Sequence, residues 1–114
     1  MNKIRYKKNN ISPAKWQVWL TYVGFDGSVG GKKRPVLVTG VAGNSCSIME
    51  ISSQPPAYES DIPLIDPYWA GLSKESVIQT RKVSAVRKES LRLYLGDLSE
   101  DDRRRMRGLV RGSL

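Results

Sequence analysis

In three separate runs of this chain the apolar residues fall at every second position: Trp16, Val18, Leu20 and Tyr22, then Met49 and Ile51, then Leu91, Leu93 and Leu95. A repeat of two is the period of an extended strand, whose side chains point alternately to opposite faces, and it does not fit the 3.6-residue turn of a helix. A fourth run, residues 35–41, is apolar on both faces, as a strand in the middle of a sheet must be. Turn-forming stretches separate these runs. Ala42-Gly43-Asn44-Ser45 predicts a hairpin and Gln54-Pro55-Pro56-Ala57 ends the strand that follows it. Shorter β segments are expected at 61–65, 76–79 and 82–87, with a long surface loop around Pro67-Tyr68-Trp69-Ala70-Gly71. After Gly96, Ser99-Glu100-Asp101-Asp102 starts a helix: a serine N-cap, acids in the first turn, arginines toward the end, and a narrow stripe of Met106, Leu109 and Val110. The pattern is mainly β. Five to seven short strands and a C-terminal helix that docks on them point to a small, strongly bent barrel.

At 114 residues the chain holds one ordinary core, so a single domain over 14–114 is expected, preceded by a basic, flexible arm over 1–13. The net charge of +8 is spread along the chain and favours a polyanionic partner such as nucleic acid. No histidine occurs, which removes the commonest general acid/base and the commonest metal ligand, so neither a metal nor a cofactor is expected. The single cysteine, Cys46, sits in an alternating run and reads as a small core residue. The basic N-terminus leads into Asn9-Asn10 rather than an apolar run, and no stretch approaches the roughly 20 apolar residues that cross a bilayer. A cytoplasmic protein with no membrane partner is expected.

The stretch Gly27-Ser28-Val29-Gly30-Gly31-Lys32-Lys33-Arg34-Pro35 runs from a glycine-rich turn through three cations into the central strand. Pro35 biases Arg34 toward extended geometry, placing its guanidinium where loop becomes strand, a suitable position for binding phosphate. A hairpin with a solvated basic tip fits these residues equally well. On the next strand, alternation puts Glu50, Ser52 and Gln54 on one face, which is either a site or an exposed polar face. Trp19 points away from the larger apolar row of its strand. It is left with base stacking, a subunit interface or a second small core.

In order along the chain, Trp16-Gln17-Val18-Trp19-Leu20, the glycine loop, Lys33-Arg34-Pro35-Val36-Leu37-Val38, Ile51-Ser52-Ser53-Gln54 and Ser76-Val77-Ile78 resemble the MazF/PemK toxins of type II toxin–antitoxin systems. The resemblance spans about residues 14–112. It implies an SH3-like barrel of the MazF/CcdB kind, a homodimer, metal-independent cleavage of single-stranded RNA such as mRNA, and an acidic antitoxin as partner. It matches Arg34 to the family's catalytic arginine, Ser52 to a catalytic threonine and Gln54 to a neighbouring glutamine. Trp16 stands where a glycine is usual, Gln17 where an acid is usual, and Val29 where some members carry an acid. Such cleavage needs a base at the 2′-hydroxyl, charge stabilisation on the phosphorane and a proton for the leaving 5′-oxygen. Arg34 is assigned to charge stabilisation, Ser52 to hydrogen bonding, and Glu50 is preferred over Asp26 as base. Backbone binding is assigned to Lys32, Lys33, Lys82 and Arg87, with Trp19 or Tyr68 stacking a base. Two alternatives stand beside this: a non-catalytic toxin like the gyrase poison CcdB, and a basic SH3-like barrel that only binds nucleic acid.

Overall fold

The computed structural model describes residues 11–24 and 31–112. Most of the N-terminal arm and the loop positions Asp26 to Gly30, Val29 among them, lie outside the described residues. Six strands are present: β1 (Gln17–Gly24), β2 (Gly31–Ala42), β3 (Ser45–Ser52), β4 (Asp61–Pro63), β5 (Val77–Arg87) and β6 (Leu91–Asp97), followed by helix α1 (Glu100–Gly112). They form one antiparallel sheet in the order β4-β5-β3-β2-β1-β6. The mainly β architecture with a C-terminal helix thus agrees with the sequence pattern.

The three longest-paired strands bury side chains on both faces, and this produces two cores. On one face Val18, Leu37, Ile51 and Ile78 meet Leu64, Ala70, Leu98 and Met106, so the loop after β4 and helix α1 form the cover. On the other, Trp19, Val36, Val38, Cys46, Ile48 and Leu91 pack together. Trp19 lies directly opposite Val36 across the β1–β2 ladder, and its ring meets Tyr94 edge-on with centroids 5.7 Å apart. Its indole N–H donates to Gln17 Oε1 at 2.8 Å, which satisfies the polar tip of an otherwise buried ring. Cys46 is buried beside it, and burial pushes its thiol above the ordinary pKa, as suits an inert core residue.

Two elements differ from the sequence reading. The segments expected at 76–79 and 82–87 are one strand, β5, because Met49 pairs with Val83 while Glu50 pairs with Gln79. Thr80, Arg81 and Lys82 are the additional residues of a bulge that the partner strand does not match. In helix α1, Met106 is buried but Leu109 is 47% exposed. The helix is held also by Asp102, which is 1% exposed. Its carboxylate accepts the backbone N–H groups of Ile65 (2.9 Å) and Asp66 (3.0 Å), and Arg105 donates to it at 3.2 Å. Ser99 Oγ accepts the Asp102 N–H at 3.1 Å, the N-cap expected at that serine. Gly71, at φ +85°, lets the loop after β4 lie against β6, since a Cβ there would stand 2.1 Å from the Leu95 carbonyl oxygen.

Candidate active site

In an antiparallel sheet the start of one strand lies beside the end of the next, so the beginning of β2, the end of β3 and the beginning of β5 share one end of this sheet. A cavity of about 390 Å³ opens there. Lys32 and Arg34 line it from β2, Ser52 and Gln54 from the end of β3, and Lys74 from the segment leading into β5. The β2–β3 register pairs Val36 with Glu50, and continued two residues further it sets Arg34 against Ser52. Thr21 faces Arg34 from β1, buried, with its hydroxyl donating to the Ser90 carbonyl at 2.6 Å. Arg34 itself is half-buried, and it is not at the strand entry expected from Pro35: β2 begins at Gly31 and pairs with β1 through Lys32 and Lys33, so Arg34 is the fourth residue of the strand.

Ser52 Oγ accepts the backbone N–H of Gln54 at 3.0 Å, a local turn that ends β3. A hydroxyl that accepts in this way keeps its own proton to donate, so Ser52 can offer an O–H to an anion in the cavity. Opposite, the segment before β5 is pinned: Ser76 is buried, its Oγ donates to the Lys74 carbonyl at 2.8 Å, and its carbonyl accepts the Leu64 N–H at 2.9 Å. Among the described residues none of the cavity's lining side chains is a carboxylate. Glu75 lines a smaller adjoining cavity of about 190 Å³, which shares Gln54 and Ser76 with the first.

Of the candidate residues, the structure brings together Arg34, Ser52, Gln54 and Lys32. Glu50 shares the Ser52 face two residues back along β3, in the row of Val36 and Gln79, and is not part of the lining. Lys33 alternates to the opposite face of β2 from Arg34 and is exposed beside the exposed Tyr22. Lys82 is exposed on the β5 bulge. Arg87 pairs with Ser45 at the far end of β3, seven residues from Ser52, or about 23 Å at 3.3 Å per residue. It is also bound to Glu89 at 3.1 Å. Trp19 as a base-stacking platform is corrected: at 1% exposure its ring belongs to the second core and presents no face to a ligand. Tyr68, 59% exposed, keeps an accessible ring. Lys74 escaped the sequence reading because it sits in a stretch without apolar period. The signal was a cation just ahead of the buried pair Val77-Ile78, as Lys32 and Arg34 stand ahead of Val36 to Val38.

Among the described residues no group of three or more His, Cys, Asp or Glu side chains could hold a metal ion, and no helix is long and apolar enough to cross a membrane. The family model of the PemK-like, MazF-like toxins of type II toxin–antitoxin systems matches residues 14–113. No curated protein matches the sequence. Among solved structures, a MazE–MazF complex from Deinococcus radiodurans (form III) is similar at 23% identity with a TM-score of 0.63, over 86% of this chain and 92% of that one. An endoribonuclease in complex with its cognate antitoxin from a mycobacterial species is similar at 14% identity with a TM-score of 0.62, over 84% of this chain and 88% of that one. At these identities the likeness is one of fold.

Proposed function

This chain belongs to the PemK-like, MazF-like toxins of type II toxin–antitoxin systems, and from that membership we propose that it is an endoribonuclease that cleaves single-stranded RNA inside the cell. The observation that carries the reading is the convergence of Arg34, Lys32 and Ser52 on one cavity. In the reaction the 2′-oxygen attacks phosphorus and loses its proton to a base, the P–O5′ bond breaks, and the 5′-oxygen takes a proton. The products are a 2′,3′-cyclic phosphate and a 5′-hydroxyl. Arg34, whose planar fork holds two phosphate oxygens, stabilises the charge that builds on the phosphorane. Ser52 donates its free proton to a phosphate oxygen. Glu50 is assigned as base. It stands about 7 Å from Ser52 along the strand, a gap that one bridging water closes. An acidic antitoxin is the partner that silences the site, as the solved mycobacterial and Deinococcus relatives have antitoxin complexes.

Purified protein should cut single-stranded RNA with chelator present and leave cyclic phosphate ends. Arg34→Ala should lower the rate about 100- to 1000-fold, the usual cost of losing one positioned donor to a developing oxyanion. Arg34→Lys should restore little, since an ammonium cannot make the two-pronged contact. Ser52→Ala should cost less than Arg34→Ala, and Glu50→Gln should lower the rate if Glu50 is the base. One observation favours the barrel that binds nucleic acid without cutting it, namely the absence of a carboxylate from the described lining. Wild-type protein that binds RNA but cuts none would establish that second reading, whereas an Arg34→Ala variant as active as wild type would remove Arg34 from the catalytic site.

A further inference from the structure

We propose that the cavity holds two consecutive phosphodiesters of one strand: Arg34 and Lys32 grip the phosphate that is cleaved, and Lys74 on the opposite wall grips its neighbour. The inference rests on the endoribonuclease reading and specifies the substrate for it. Its first support is the layout of the walls. β3 lies between β2 and β5 in the sheet, so Lys32 and Arg34 on β2 and Lys74, three residues ahead of β5, line the cavity from opposite sides of β3. The cavity, at about 390 Å³, is larger than one phosphate group fills.

Charge gives the second support. Arg81, Arg87, Arg103, Arg104 and Arg105 each have a carboxylate partner. Among the described residues Lys32, Arg34 and Lys74 have none, like Lys33, Lys82, Arg92 and Arg107, but these three share one cavity whose described lining contains no acid. Three facing cations around a single phosphodiester leave an excess of two positive charges, and a second phosphodiester reduces it. The third support is rigidity. Lys74 projects from a turn whose backbone is fixed by the Ser76 hydroxyl at 2.8 Å and bracketed by buried Leu72 and Ser76, so the base of its side chain is held on the cavity wall.

The test uses the full chain and a dinucleotide taken from a cut site mapped on long RNA, in three forms: bare, with a 5′-phosphate, and with a 3′-phosphate. Bare dinucleotide has only the scissile phosphodiester. One of the two phosphorylated forms should be cut with kcat/KM about 10- to 100-fold above the bare one, the worth of one charge-assisted contact. Lys74→Ala should erase the difference between the phosphorylated and the bare dinucleotide, and Lys74→Arg should retain it. In parallel, binding of the 2′-deoxy oligonucleotide, which cannot be cut, should lose about 0.7 from the slope of log K against log salt in Lys74→Ala. No gain from either phosphate, or a gain that survives Lys74→Ala, overturns the inference while leaving the nuclease intact. If wild type cuts no RNA at all the nuclease reading fails, and the salt slope alone decides: an unchanged slope in Lys74→Ala overturns the phosphate contact, and a reduced one supports it.

Discussion

Trp16 holds a φ of +76°, in the left-handed region that glycine adopts freely, and it stands where the toxins it resembles usually have glycine. Its backbone is fixed on both sides, the N–H donating to the Val38 carbonyl at 2.7 Å and the carbonyl accepting the Leu98 N–H at 2.9 Å. The conformation therefore belongs to the fold, and a side chain there costs about 1–2 kcal/mol. The ring offsets that cost by packing, half-buried, against the first core. Full loss of a buried Trp costs about 3–5 kcal/mol, so half of such a ring is worth about 2. Trp16→Gly should therefore shift stability in urea by less than about 1 kcal/mol. Trp16→Ala, which keeps the strain and loses the ring, should cost about 2 kcal/mol. Tyr94 offers a second test. Burial, then its hydrogen bond to Asp97 at 2.7 Å, then the charge of that carboxylate push its pKa from 10.0 up to about 12. Because the folded value is raised, the fold favours the neutral phenol. That contribution is complete below pH 10 and is lost as pH rises through about 12. Titration by ultraviolet absorbance should show one of the five tyrosines lagging, and Tyr94→Phe should remove the lag.

At the level of elements, helix α1 is joined to the rest of the fold by Met106 in the first core and by one carboxylate, Asp102, bound to the loop after β4. Asp102→Ala strands two backbone donors in the loop after β4, which should lower stability by about 2–4 kcal/mol in chemical denaturation, while Arg105 keeps its bond to the Pro63 carbonyl at 2.8 Å. That clamp was invisible to periodicity, because a hydrogen bond to residues 36 and 37 positions away leaves no local pattern. Strands β1, β2 and β3 were legible, since each buries side chains with the strand's own period. The same period could not say what covers the second face, so Trp19 stayed open until the other core was seen. The β5 bulge hid one strand as two, because extra residues reset the alternation. At the site, Arg34, Ser52 and Gln54 were readable from the cations ahead of a buried run and from a strand end, whereas Lys74 depends on which loop the topology returns to that end.

For the molecule as a whole, the homodimer that the resemblance implies needs an exposed apolar surface, and one loop offers it. Trp19 is absorbed by the core, but Ile65, Tyr68 and Trp69 remain 57%, 59% and 68% exposed within one loop. Sedimentation at micromolar concentration should show a dimer, and Trp69→Ser should shift it toward monomer if this loop lies in the contact. The β5 bulge has a bearing on solubility as well. β4 covers only Val77 to Gln79, so among the described strands none pairs with the outer side of β5 beyond that point. A straight edge of that length, with Val83 54% exposed, would be a template for stacking copies into fibrils. Thr80, Arg81 and Lys82 bend the strand and set two cations at the break, so an incoming chain cannot align its hydrogen bonds along it. The irregularity that obscured β5 in the sequence thus disfavours edge-to-edge pairing of copies along this strand.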